Sequence, residues 1–463
     1  MMRLLTKLIT SLLVLAITTG VATAKEIPPS GGIPADFKVP ETTDLTLDNG
    51  LKVTFVPYGA TPKATIRLVT HTGNVDDGDK VWLSDISYEM LRQGTRSQTA
   101  KQVAESVASM GGQIQTSVGM DESWLGLDVL SEFSSDAVAV IADMVLNAKL
   151  DTSDLDRIKT DRTRQLNVAM SRPGSIANKA FYEHLFGNHP YGQLYPTEAS
   201  LSGIAQQDVS GFLASNLVAG RSHLYISGVF DQDKVVAAVK QSFDQWQKGQ
   251  PRVKQTVIAQ SGPKVDLINR DGAPQSTLRL GLPTMGASHA DYLEMTMMNT
   301  MLGGAFSSRI TKNIREDKGY TYSPRSAVVA RVGTGAWYQA ADVTAESTGA
   351  SLSEIFKEIK LLANEPPSQQ ELDGLKSYMS GIFVLRNSSR SAIINQLSFL
   401  ERHGLSKQYL QEYVQKVNSA TPEQISAMVN KYLDINKMTL VVVGDAASVE
   451  PQLKQVSELQ GYW

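Results

Sequence analysis

The sequence predicts an α+β protein built from two tandem, homologous domains, each a mixed or largely antiparallel sheet with helices packed on it. Three observations carry this expectation. Landmarks in the first half of the chain recur in the second at a nearly constant separation, as a duplicated unit would give. Strand-like and helix-like stretches are mixed in each half but do not alternate regularly as in βαβ units, which favours α+β halves. Between the halves, Lys248 to Lys264 is rich in Gln, Lys, Gly, Pro and Ser and reads as a linker.

At the N-terminus, Arg3 and Lys7 precede an apolar run from Leu8 to Ile17, interrupted only by Thr10 and Ser11. Ala22-Thr23-Ala24 then offers a small-x-small cleavage site before Lys25. This order predicts a secretory signal peptide over 1–24, followed by an extension over 25–44. The run is shorter than the ~20 apolar residues that span a bilayer. Cleavage near Ala24 and a periplasmic location are therefore expected rather than a membrane anchor. The chain has no Cys, so neither disulfides nor thiolate chemistry enter, and a lipid-anchored N-terminal Cys is excluded. A net charge of -3 with 20% charged residues gives no basic footprint for nucleic acid.

The predicted domains are 45–247 and 265–463. In the first, Leu51 to Val56 and Ala64 to Thr70 read as strands; in the second, Val265 to Ile268 and Ser276 to Gly281 do. Ile66-Arg67-Leu68 matches Leu278-Arg279-Leu280 in pattern. A helical stretch follows in each half, ending at Gly94 and at Gly303-Gly304. Ser135 to Lys149 and Leu352 to Asn364 both have helical periodicity, and Asp154 to Lys159 lines up with Glu371 to Lys376. Each half closes on an apolar strand ending in Gly, His223 to Gly228 and Met438 to Gly444.

Two stretches are candidates for function. Trp82 to Thr95, WLSDISYEMLRQGT, carries Asp85 and Glu89 at i, i+4, where they share a helix face. Taken by themselves they read as a solvated face, or as part of a hard-ion site that would need further oxygen ligands. Asn299 to Ser323, NTMLGGAFSSRITKNIREDKGYTYS, combines a Gly pair with Arg309, Arg315 and Tyr322. A phenol and a guanidinium suit an oxyanion and carbonyl oxygens. The competing reading packs Tyr322 in a core and pairs Arg315 with Glu316 or Asp317.

These stretches resemble the pitrilysin-like (insulinase-type) M16 zinc peptidase family, of the small bacterial M16B type. In active members the first helix carries an inverted H-x-x-E-H motif. Two imidazoles one turn apart hold Zn²⁺, and the Glu takes a proton from the metal-bound water. Here both His positions are replaced, by Asp85 and Glu89, and the general-base position is Tyr88. Gln165 falls where the family's third ligand, a Glu, is expected. The resemblance implies that this chain binds no metal.

The second stretch is similar to the family pattern N-x-x-L-G-G-x-x-x-S-R-L, then R-E-x-x-G-x-x-Y-S. Asn299, Leu302, Gly303, Gly304, Ser308 and Arg309 match the first part; Arg315, Glu316, Gly319, Tyr322 and Ser323 match the second. The resemblance implies the LuxS/MPP-like metallohydrolase fold in each half. It implies that Arg315 contacts the substrate backbone and Tyr322 the developing oxyanion, with Gly303, Gly304 and Arg309 in substrate binding. It also implies a heterodimer in which a partner subunit bearing H-x-x-E-H, and the zinc, is completed in trans by this chain, inactive alone, on unfolded peptides. The alternative is a peptide-binding or structural scaffold without proteolysis. Asn188 to Gly192 resembles the family's H-P-Y-G turn, which Gly and Pro explain without function.

Overall fold

The computed structural model describes residues 38–253 and 256–461; the expected signal peptide and most of the extension lie outside them. In the first half, β1 (Thr43–Thr46), β2 (Lys52–Pro57), β3 (Lys63–Thr70), β4 (Ile114–Val118), β5 (Ser123–Leu130) and β6 (Ser222–Gly228) form one sheet, ordered β1-β2-β6-β3-β5-β4. In the second, β7 (Lys264–Asn269), β8 (Gln275–Thr284), β9 (Arg325–Arg331), β10 (Thr334–Thr344) and β11 (Thr439–Gly444) form another, ordered β7-β11-β8-β10-β9.

Apart from β1 the two sheets have one topology. β2 runs parallel to β6 as β7 does to β11, and every other pairing is antiparallel. The register repeats as well. Lys52 lies opposite His223 and Lys264 opposite Thr439; Ile66 lies opposite Ile226 and Leu278 opposite Val442. The chain is thus a duplicated α+β unit.

The central strands are buried on both faces, and strand alternation assigns each face to a different core. Phe55, Leu68, Leu224 and Ile226 point into the first half's own helices, while Val56, Val69 and Tyr225 point the other way. On β11, Leu440 and Val442 face the second half's core and Val441 and Val443 the opposite side. What covers those opposite faces comes from the other half of the chain. The helix Pro173–Phe186 packs Phe181, Leu185 and Phe186 against β8 and β11, and the helix Arg390–His403 packs Ile393, Ile394 and Leu397 against β3 and β6. Burial of those six side chains is worth on the order of 10 kcal/mol by area.

Both exchanged helices have clean ends. Pro173 stands in the first turn of one, and Ser389 accepts from the Ala392 N–H at the start of the other. Gly404, at φ 66, closes the second helix in the left-handed conformation that only Gly adopts cheaply.

The duplication extends to the polar contacts of the exchange. Arg67 stacks on Trp124 at 4.0 Å and donates to Asn395 Oδ1 at 2.5 Å. Arg279 approaches Tyr338 at 5.6 Å and donates to Asn178 Oδ1 at 3.2 Å. Lys52 pairs with Glu401 at 2.8 Å, while Lys264 donates to His184 Nδ1 at 2.8 Å. Glu401 also bonds His223 Nδ1 (2.6 Å) and accepts from the Tyr225 hydroxyl (2.9 Å), with His71 Nε2 at 3.5 Å. No helix among the described residues is long and apolar enough to cross a membrane.

Candidate functional site

The helix Leu83–Met90 starts from a strained junction. Trp82 sits at φ 72, the left-handed region that a bulky residue adopts only under constraint. Its indole donates to Leu194 O at 3.1 Å and its ring meets Tyr195 edge-on at 6.0 Å. Asp77 caps the helix, accepting from the backbone N–H groups of Trp82 (2.9 Å) and Ser84 (2.8 Å). Burial nonetheless pushes the Asp77 carboxyl up to about 7, against the hydrogen bonds from Ser84 and Asn74 that pull it down.

From this helix Asp85 and Glu89 project toward the helix Thr152–Ser171, which carries Arg162 and Gln165 one turn apart. Arg162 holds all three side chains. Its Nε and Nη2 donate to Glu89 Oε2 at 3.1 and 2.9 Å, and its Nη1 lies 3.5 Å from Asp85 Oδ1 and 3.3 Å from Gln165 Oε1. Asn74 donates to the other Asp85 oxygen at 2.7 Å. The side chains of Arg162, Asp85 and Glu89 are 20%, 22% and 28% exposed, so this is an interhelical ion network and not the solvated face that the helix pattern alone suggests. Burial raises the Asp85 carboxyl, with Arg162 and Asn74 opposing it and the Glu89 charge adding to it.

Zn²⁺ does not fit this arrangement. It favours imidazole or thiolate donors at 2.0–2.3 Å, and here two carboxylates and an amide converge on a guanidinium instead. Tyr88 is fully buried and its phenol is raised by desolvation, so it stays protonated and cannot act as a base. Among the described residues no group of three or more His, Asp or Glu is disposed to hold a metal ion.

The second candidate is open. After the helix Tyr292–Asn299 the chain makes a wide turn in which the Ala305 N–H reaches Thr300 O, and a second in which the Lys318 N–H reaches Asn313 O. Such wide turns are rare and frequently occur at functional sites. Gly303 is needed for the first. A Cβ there would lie 2.6 Å from both Gln339 Oε1 and Ser326 Oγ. Gly304 has the Asn299 amide at 2.7 Å in the same sense. Thr321 anchors the far end, donating to Asp342 O at 2.6 Å.

Between these anchors lies a cavity of 310 Å³ lined by Gly303, Gly304, Phe306, Arg315, Tyr322 and Ser323 among others. Arg315 sits over Phe306 at 4.2 Å and Tyr322 at 5.1 Å from the ring centroids. Among the described residues it makes no hydrogen bond or ion pair, with Glu316 and Asp317 included. Tyr322 is 81% and Phe306 68% exposed. A cation held between aromatic faces, with its N–H groups unspent, can receive a carbonyl or carboxylate.

Arg309 lies outside the cavity lining and is fully engaged by Glu371, through Nε–Oε1 at 2.8 Å and Nη2–Oε2 at 2.7 Å. The resemblance assigned it to substrate; the geometry makes it a brace between the turn and the helix Gln369–Arg386. Motif matching singled out neither Arg162, although it stands one turn before Gln165, nor Phe306. The H-P-Y-G turn also does more than turn: the buried Tyr191 hydroxyl donates to Asp121 Oδ1 at 2.7 Å and accepts from the Val332 N–H at 3.2 Å, tying the halves together.

Comparison with known families decides the lineage. Residues 55–196 match the model of the insulinase peptidase family M16, and residues 203–379 that of the peptidase M16 inactive domain. The chain belongs to peptidase family M16. Among M16 relatives, an uncharacterized zinc protease of Mycobacterium leprae is 24% identical over 417 residues, 89% of this chain and 93% of that protein. Another from Bacillus subtilis is 23% identical over 394 residues, 83% and 93% of the two. A solved peptidase M16 inactive domain from Pseudomonas fluorescens has TM-score 0.80 at 22% identity, covering 87% of this chain and 98% of its own. A Helicobacter pylori protease has TM-score 0.82 at 16% identity, covering 88% and 100%. At these identities the structural likeness speaks for the M16 fold alone.

Proposed function

We propose that this M16 chain is the non-catalytic subunit of an exported heterodimeric peptidase, inactive alone, that lends Arg315 and Tyr322 to a zinc-bearing partner for peptide hydrolysis. The observation that carries this reading is the contrast between the two candidate regions. At the metal position the side chains in the three ligand places, Asp85, Glu89 and Gln165, all converge on Arg162. At the second site Arg315 and Tyr322 face an open cavity with their polar groups free for a ligand.

In the assembly the partner's zinc supplies the activated water. Arg315, steadied by Phe306, donates to peptide carbonyls, and the Tyr322 hydroxyl donates to the oxygen on which charge develops. β9 begins at Arg325, just after Tyr322, and is an edge strand of its sheet. A peptide can add to that edge through main-chain hydrogen bonds, which makes recognition tolerant of sequence and suits unfolded peptides as a class.

The test is co-expression with an exported M16 subunit that carries H-x-x-E-H. Co-elution as a heterodimer, with peptidase activity well above that of the partner alone, is the expected result. A partner that is fully active unaided, or that never assembles with this chain, would leave the scaffold role in its place.

A further inference from the structure

We infer that Arg162 is the bolt of the former metal position: its guanidinium occupies the place of the cation, and zinc binding cannot be restored there by putting the ligands back while Arg162 remains. This stands independently of any action in trans.

Arg162 reaches Glu89 at 2.9 Å, Gln165 at 3.3 Å and Asp85 at 3.5 Å from a single guanidinium, so the three side chains surround one planar cation. A zinc ion with its ligands at about 2.0–2.2 Å would have to sit inside the space those N–H groups fill. The guanidinium is a permanent charge on a half-buried stem, and a divalent ion a few ångströms away would be repelled where solvent screens little. The carboxylates need Arg162 in turn. Asp85 and Glu89 lie one turn apart on one helix with their side chains largely buried, a like-charge pair that is costly without a counter-cation. Among the described residues no Lys or His bonds to this network; Asn74 faces it from a neighbouring segment, donating to Asp85 and also to Asp77, whose carboxyl feels the Asp85 charge. Arg162 therefore both excludes the metal and stabilises what replaced its ligands.

Two variants separate this account from simple ligand loss. The first is Asp85→His, Glu89→His and Gln165→Glu with Arg162 kept; the second adds Arg162→Ala. Zinc is measured by elemental analysis after gel filtration and by competition with a chromophoric chelator, and folding by circular dichroism. The first should carry no stoichiometric zinc, and the second about one per chain, with affinity at least ~100-fold higher. Zinc in the first variant, or none in a folded second variant, overturns the inference. A companion measurement needs no rebuilt site. Arg162→Ala alone should lower Tm, and adding Asp85→Asn with Glu89→Gln should recover most of the loss, because the uncompensated charges are gone. A Tm unchanged by Arg162→Ala, or a loss that the two neutral side chains fail to recover, would equally overturn it.

Discussion

Glu401 offers the sharpest handle on how the two halves hold each other. It belongs to the second half, yet its carboxylate is spent on the first: Lys52 at 2.8 Å, His223 at 2.6 Å, the Tyr225 hydroxyl at 2.9 Å and His71 at 3.5 Å. The Lys52 contact is more than half exposed and contributes little. The bonds from His223 and Tyr225 to a charged acceptor that is 21% exposed carry the weight, and losing such a partner costs roughly 3–5 kcal/mol. Glu401→Ala should thus lower Tm by about 5 °C or more in a chain of this size.

Acid should narrow the difference. Burial by itself would raise the Glu401 carboxyl, but the hydrogen bonds and charges of His223 and His71 outweigh it and hold the group far below the usual carboxylate range. A depressed folded-state pKa gives stability that is present above the unfolded value, about 4.3, and is lost as pH falls below it. Thermal unfolding of both proteins at pH 7 and in steps down from pH 4 checks this. A variant as stable as the parent at pH 7, or a deficit that stays constant into acid, would refute the claim that this carboxylate pins the halves.

Three further outcomes follow. Gly303→Ala should destabilise the chain by roughly 1–3 kcal/mol by overpacking, since the new Cβ meets Gln339 and Ser326 at 2.6 Å; chemical denaturation reads it directly. A protease site placed in the exposed stretch at Ile258 and cut should leave the halves co-eluting on gel filtration, because each sheet is covered by a helix of the other half. For Asp77, whose carboxyl is raised to about 7, the folded state keeps the proton longer than the unfolded one, so its contribution to stability falls as pH rises from about 4 to about 7. Asp77→Asn should flatten that part of the stability profile, and equal slopes for the two proteins would argue against a buried, reluctantly ionised Asp77.

The duplication was legible because strand pattern and landmark spacing are local properties. Ile66-Arg67-Leu68 and Leu278-Arg279-Leu280 do occupy matching registers. The helix exchange was not legible, since periodicity tells which face of Pro173–Phe186 is apolar but not whose sheet it covers. The same limit applied at the metal position. Asp85 and Glu89 could be seen to share a face, yet their partner comes from a helix far along the chain. Arg162 stands one turn before Gln165, so its presence on that face could be read, but not its reach to Glu89. Arg309 shows the converse. A motif match placed it with substrate, and only the Glu371 pairing reveals a brace. Arg315 and Tyr322 were found by motif; the Phe306 ring that steadies Arg315 was not.

The central claim is that this chain acts on a bond whose water is activated in another subunit. Its most direct test is peptide turnover by the reconstituted heterodimer with Tyr322→Phe in this chain alone. Tyr322 is 81% exposed, so losing its hydroxyl should leave folding and assembly intact. The account predicts a fall in kcat on the order of 10²- to 10³-fold, as for loss of other oxyanion donors. Unchanged turnover in a correctly assembled heterodimer would contradict it.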